Sequence, residues 1–428
     1  YCDSKGYLNN SSVSIGDTID LSGNFTNKSF IFKIPLTVTS LNNDSYLYNC
    51  HVAFINTTNE SFTPVVSNLN MEMHVDVRLM IVVNNSCGVK VINNVLYSSG
   101  ANSYPISLVD FTNGSLVANN TIKTVVSNRF AQNVEKENGD NSSWQHSGIT
   151  LLDSFHNDIR DNNIVVEDSY GIYLCYGQTT SDYNNIVNNT IRSSIKNPSF
   201  WTYGIYLMGR YNYIANNTLV GVYRGISATS PYNVIVSNKI YNITGIDVDT
   251  QEKTGGDYVI YGSSNAVIAN NSIYGADVFK AGIIVGSNSK AYGNYIEIVS
   301  NANGILIGGV EGGSNGDSNY NVSNNTIMFL GGIGILVEGY PNNVSIEENI
   351  IDSLSEVGGS RASGNGVGID VIYQSRDKRT TNISIIDNKI YTSNDVAINL
   401  NQSSLEYFIN NERWVFGKAI IYPNIRNV

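Results

Sequence analysis

An asparagine two residues ahead of an isoleucine or leucine returns along almost the whole chain. We place this N-x-[I/L] unit at Asn94, Asn120, Asn163, Asn189, Asn217, Asn238, Asn271, Asn294, Asn325, Asn349 and Asn388. The copies lie roughly 20 to 40 residues apart, the spacing of repeat architectures. Each is followed by a Gly leading an apolar run, as in Gly171-IYL, Gly204-IYL, Gly282-IIV and Gly334-ILV; the last copy has Ala397-INL. A third column stands six residues before the Asn and holds only Asn or Tyr: Asn157, Tyr183, Tyr211, Tyr232, Asn265, Asn288, Asn319, Asn343 and Asn382.

Apolar residues alternate at spacing two within each short piece, which is strand periodicity. Asn tolerates the left-handed backbone region and suits the turn between two such pieces. Gly before the next piece suits a second bend that needs positive φ or close packing. Three short strands and three bends per coil describe an all-β, single-stranded, right-handed parallel β-helix of about a dozen coils. Identical Asn side chains then stack into ladders from coil to coil. We divide the chain into residues 1–60 (N-terminal cap and first coils), 61–405 (the β-helix) and 406–428 (a C-terminal cap or the start of a following domain). Length variation falls in loops at about 128–147, 250–257, 308–319 and 355–367.

Only 14% of the 428 residues are charged and the net charge is −11, with no basic run. A nucleic-acid partner is therefore not expected. No stretch reaches the ~18–20 apolar residues of a membrane helix. The chain opens on YCDSKG without a secretory leader, which reads as a processing boundary. N-x-S/T triplets recur, among them Asn24, Asn27, Asn43, Asn56, Asn59, Asn113, Asn242, Asn321, Asn382 and Asn401. They point to a glycosylated, extracellular or cell-surface protein. Of the four cysteines, Cys87 and Cys175 lie about three coils apart and cannot bridge. Cys2 and Cys50 can meet in the N-terminal cap as a disulfide, or remain buried thiols.

Candidate chemistry is sparse. Asp153, His156, Asp158, Arg160 and Asp161 mix acid, imidazole and guanidinium within nine residues. Strand alternation puts Asp158 and Arg160 on one face, so Asp158, Arg160 and His156 are the catalytic candidates, with a solvated turn as the simpler reading. Asp247, Asp249 and Asp257 form the densest acidic set, and Arg376, Asp377, Lys378 and Arg379 a charged loop tip. His51, His74, His146 and His156 form no HxH or HExxH pair, so no metal site is expected. The 28 tyrosines carry more signal. Tyr183, Tyr211 and Tyr232 share one column, and Tyr173 and Tyr206 another. Stacked rings with hydroxyls suit sugars, whereas rings packed on the rod's own flank would be scaffold.

The repeat NNTI…YGIYL…YNxI resembles the parallel β-helix repeats of pectate-lyase-like and periplasmic copper-binding-type proteins. The opening GDTIDLSGNFTNKSFIFKIPLTV resembles adhesin-like surface proteins of methanogenic archaea, in which a GDTI-x-L and a K-x-PLT segment precede the coils. The resemblance spans about residues 15–400 and implies the β-helix fold strongly, function only weakly. Polygalacturonase-type motifs (NTD, DD, GHG, RIK) are not found as a set, with neither an adjacent DD nor a GHG present. A pectate-lyase-like reaction would require calcium carboxylates and a basic residue, so calcium is the one cofactor the resemblance leaves open. The expectation is a cell-surface β-helix with an adhesin-like or structural role, contacting glycans or associating with itself. The alternative is a polysaccharide lyase or glycoside hydrolase. A trimeric, tailspike-like stalk is a third option.

Overall fold

The structure, a computed structural model, describes residues 13–415 apart from 59–60, 76–77, 101–102, 126–145, 176, 197, 199–201, 245–255, 309–317, 340, 354–365, 373–380, 393–395, 401–404 and 410–411. Among the described residues there is no helix, and every named strand lies in one of three parallel sheets. The chain folds as a right-handed parallel β-helix. It divides into two compact units, Tyr1–Thr218 and Leu219–Val428.

In both units the strands follow one another in the order sheet I, sheet II, sheet III, and each pairs with the strand three further on. In the first unit Lys90–Ile92 of sheet I pairs with Leu116–Ala118, which pairs with Asp158–Arg160, then Asn185–Val187, then Tyr213–Ala215. Sheet II runs through Val95–Ser98, Thr121–Val125, Asn163–Glu167 and Thr190–Ser193. Sheet III runs through Ser103–Val109, Ser147–Leu152, Tyr170–Cys175 and Tyr203–Leu207. The second unit repeats the scheme, for example with Val267–Ala269, Lys290–Tyr292 and Ser318–Ser323 in sheet I. Among the described residues sheets I and II each take fifteen strands, more than the expected dozen. The additional coils come from residues that lack the Asn unit. Strands form from Thr18–Asp20 onward at one end, and Leu405–Ile409 and Glu412–Val415 still pair in sheets I and II at the other.

In most coils the short strands send an aliphatic residue inward at the same register, so like stacks on like. Ile159, Ile186 and Ile214 form one such row, and Ile149, Ile172 and Ile205 another, all fully buried. The Gly column serves close packing. A Cβ on Gly171 would lie 2.5 Å from the Gly204 carbonyl and 2.6 Å from Ile191.

Between sheets I and II the chain turns on two residues. The first takes positive φ, as at Asn93 (59°), Asn119 (56°), Asn188 (58°) and Asn270 (55°). The second is buried and forms the ladder. In the first unit Asn94 donates its backbone N–H and its Nδ2–H to Asn120 Oδ1, and Asn120 does the same to Asn162 Oδ1. Asn162 continues to Asn189 and Asn189 to Asn217. The second unit runs Asn238, Asn271, Asn294, Asn325, Asn349, Asn388 in the same way. Most rungs also donate Nδ2–H to a main-chain carbonyl of the coil before, as Asn294 does to Ile268 O at 3.0 Å. The ladder residue after Arg160 is Asn162, not Asn163. Asp161 takes the positive-φ place at 57°, and Asn163 is the exposed first residue of its sheet II strand.

Cys50 is a free, buried thiol. Its sulfur accepts the Lys28 N–H at 3.4 Å, and burial pushes its pKa up. Its expected partner, Cys2, lies outside the described residues.

Replacing Asn294 by Ala strands the Asn271 N–H and amide and the Ile268 carbonyl in a buried setting. A loss of roughly 3 kcal/mol or more is expected, read as a fall of several degrees in the thermal midpoint. An exposed control, Asn163→Ala, should leave it unchanged.

Candidate functional site

The corner from sheet III to sheet I has the same two-residue plan. Its positive-φ residue is Gly88 or Gly114 in early coils and Asn265, Asn288, Asn319, Asn343 or Asn382 in later ones. Those later Asn side chains bond one another, with Asn319 Nδ2–H on Asn288 Oδ1 (2.8 Å) and Asn343 Nδ2–H on Asn319 Oδ1 (3.1 Å). In four coils the place is instead taken by His156 (φ 56°), Tyr183 (58°), Tyr211 (58°) and Tyr232 (65°). A bulky tyrosine at positive φ is an outlier that costs on the order of 1–3 kcal/mol. Placing the ladder on Asn162 moves the column from Asn157 to His156. Asn157 is instead the buried second residue of the corner, followed on later coils by Asn184 and Asn212.

In the first unit three of these rings stack in succession. His156 and Tyr183 lie 5.0 Å apart at 11°, and Tyr183 and Tyr211 4.9 Å apart at 4°. Phe155 meets His156 edge-on at 6.2 Å. Tyr183 and Tyr211 remain 48% and 43% exposed. Because the ring faces are turned on one another, the stack offers solvent ring edges and phenol hydroxyls rather than broad open faces. Tyr232, in the second unit, holds the same place in its coil and is 44% exposed.

Polar groups flank the stack on both sides. Before the corner, the Arg210 guanidinium donates to Asp182 Oδ2 at 3.0 Å and 3.2 Å and to Thr180 Oγ1 at 3.3 Å. The Asp182 hydrogen bonds and charge push the Arg210 pKa further up. After the corner, Asp158, Asn185 and Tyr213 stand in register on the outer face of sheet I. Asp158 and Arg160 share that face as an exposed ion pair at 3.0 Å, and Arg160 also reaches Asp161 at 3.2 Å. Of the three catalytic candidates, Asp158 and Arg160 thus meet, while His156 is engaged with Phe155 and Tyr183.

Tyr173 and Tyr206 are paired in register with ring centroids 5.6 Å apart, but they do not form an open surface. Tyr173 is 3% exposed and packs with Tyr170, Cys175, Tyr203, Leu152 and Val109 in a hydrophobic cluster on the outer side of sheet III. Neighbouring rings cover it, Tyr170 lying 5.0 Å away and stacking on Tyr203 at 4.8 Å. Burial and the Asp153 charge push the Cys175 thiol up to about 12.

Other expected residues disperse. Asp257 pairs with Arg224 at 2.8 Å; Asp247, Asp249 and residues 376–379 lie outside the described residues. Among the described residues no group of three or more His, Cys, Asp or Glu is placed to hold a metal ion. Of the sequon asparagines, Asn27, Asn43, Asn56, Asn242 and Asn382 sit exposed at positive-φ corners. Asn24 is exposed, Asn113 and Asn321 are half-buried, and Asn59 and Asn401 lie outside the described residues.

Sequence reasoning missed His156, Tyr213 and the Asp182–Arg210 pair as members of one surface. It placed Asp153 in the mixed acid–imidazole–guanidinium cluster but missed that this residue supports the surface. This buried carboxylate accepts the N–H groups of Gly177, Gln178 and Thr179 at 2.7, 2.8 and 2.9 Å, fixing the segment that leads to Asp182 and Tyr183. Asp153→Ala should speed hydrogen exchange at these three amides by tenfold or more, while the amides of the Ile159–Ile186–Ile214 row stay protected.

No family profile matches the sequence, and no curated protein sequence is similar to it. Several solved structures are similar in outline. An alginate lyase in complex with G6 aligns over 93% of this chain and 90% of its own, at 11% identity and a TM-score of 0.47. A mannuronic-acid-specific family 6 polysaccharide lyase from human gut microbiota aligns over 84% and 77%, at 15% identity and 0.46. The catalytic domain of a GH87 α-1,3-glucanase in complex with nigerose aligns over 92% of this chain, at 14% identity and 0.41; the chain spans 64% of that domain. At these scores the likeness identifies no family, and the β-helix assignment rests on the chain's own strand pairing.

Proposed function

We propose that this chain is a glycan-binding β-helix protein of the extracellular space or cell surface, with an adhesin-like or structural role, and that the His156–Tyr183–Tyr211 corner is its contact surface. One observation carries the reading. Exposed aromatic side chains are held at positive φ in a corner where Gly or Asn serves other coils without strain. Strain retained at an exposed position points to use rather than to folding. Ring edges provide apolar contact, while the phenol hydroxyls, Asn185, Asp182 and Arg210 supply donors and acceptors for sugar hydroxyls.

Charge narrows the ligand. Three carboxylates (Asp158, Asp161, Asp182) stand against two guanidiniums (Arg160, Arg210) around the strip, and the whole chain carries −11. A neutral glycan is favoured over a polyuronate, which this field would repel. Sequon positions on exposed corners fit a glycosylated protein of that compartment. The alternative is a lyase or hydrolase, the activity named for the similar structures; it would draw on Asp158 and Arg160 and, for a uronate, on calcium.

Replacing both Tyr183 and Tyr211 by Asn tests the reading, since Asn accepts positive φ and can join a side-chain ladder. Binding to neutral glycans, measured by calorimetry after a glycan-array screen, should weaken tenfold or more, with the thermal midpoint unchanged or raised. Unchanged binding with a lowered midpoint would make the stack a scaffold. Release of unsaturated product from alginate with calcium, lost in Asp158→Asn, would replace binding by catalysis.

A further inference from the structure

A second constellation lies on the outer face of sheet II in the first unit. Tyr48, Glu72, Tyr97 and Lys123 occupy one register across four coils. Glu72 ends on both oxygens in hydrogen bonds, Oε1 with His74 Nε2 and Oε2 with the Tyr46 hydroxyl. The other imidazole nitrogen, His74 Nδ1, faces Ser99 Oγ at 2.5 Å. Tyr46 and His74 together hold the Glu72 carboxyl below the usual carboxylate range.

These contacts set the proton inventory. A carboxylate only accepts, so Nε2 of a neutral His74 carries the ring proton and Tyr46 donates to the other oxygen. Nδ1 is then the free lone pair, and the Ser99 hydroxyl donates to it. This is the arrangement of a nucleophile, a base and a group that orients the base. The main chain is pinned on both sides: Ser99 N–H bonds Met73 O at 2.9 Å, and His74 N–H bonds Asn49 Oδ1 at 2.9 Å. His74 and Glu72 side chains are 35% and 28% exposed, so a substrate can reach the base.

We propose that Ser99 and His74 are catalytic residues of an acyl-ester hydrolase site, with Glu72 and Tyr46 as positioning residues, acting on small O-acyl esters of sugar-sized alcohols. Ser99 Oγ attacks the ester carbonyl while its proton passes to His74 Nδ1. The carbon–oxygen bond to the alcohol breaks, and the alcohol oxygen takes that proton. Water then attacks the acyl group on Ser99, gives its proton to Nδ1 and releases the carboxylic acid as Oγ regains a proton. The imidazole lies between the rings of Tyr48 (5.5 Å) and Tyr97 (5.6 Å), and the Lys123 ammonium stands 5.5 Å over Tyr97. Aromatic walls on an open sheet face suit a ring-shaped alcohol carried on a larger glycan. The site is independent of the corner strip.

The whole chain is treated with a fluorophosphonate probe and the adduct mapped by peptide mass spectrometry, alongside p-nitrophenyl acetate turnover. An adduct on Ser99 is expected, together with p-nitrophenyl acetate turnover. Ser99→Ala should lose turnover at least 100-fold, and Glu72→Gln about tenfold or more, with circular dichroism confirming the fold. A wild-type chain with neither adduct nor turnover overturns the proposal, as does a Ser99→Ala chain that keeps its turnover. Should Ser99→Ala fail to fold, the adduct map on the wild-type chain decides alone.

Discussion

Everything in this molecule depends on a two-residue corner: one residue at positive φ, then one buried amide that bonds its counterpart in the next coil. A β-helix turns every few residues, and each turn buries backbone groups that no sheet ladder satisfies. The Asn side chain resolves this with three groups at once, accepting two N–H donors on Oδ1 and returning a donor to a main-chain carbonyl. The positive-φ residue before it reverses the chain within a single step. Once both are fixed, strand register and the inward aliphatic rows follow without further instruction.

That economy makes departures informative. Asn and Gly are the residues that occupy the left-handed region at least cost, and they fill most corner positions here. His156, Tyr183, Tyr211 and Tyr232 break the rule while leaving the buried residue after them an Asn. The scaffold position is thus conserved in kind within the chain, and the change is confined to the side chain that faces solvent. Aromatic stacking offsets part of the strain, since offset ring pairs contribute about 0.5–1.5 kcal/mol.

Much of the fold was legible because the Asn column is a local pattern with a fixed spacing to its isoleucine. The site was less so, for reasons of register. In DNN at 161–163, choosing the third residue in place of the second shifted the corner column by one and hid His156 beside Tyr183. Tyr173 and Tyr206 read in sequence like Tyr183 and Tyr211, yet the outer side of sheet III carries its own hydrophobic cluster and buries Tyr173. Ser99 and His74 are 25 residues apart and meet only because one coil of that length separates them. No local motif announces such a pair; it emerges once the coil length at that point is known.

The central claim is that strain at the sheet III to sheet I corner is retained for a ligand. A crystal structure of the chain with the neutral oligosaccharide that binds best tests it most directly. The account predicts sugar density along the edges of His156, Tyr183 and Tyr211, with hydroxyls bonded to Asp182, Arg210 or Asn185. Sugar bound elsewhere, with these three rings bare, would contradict it.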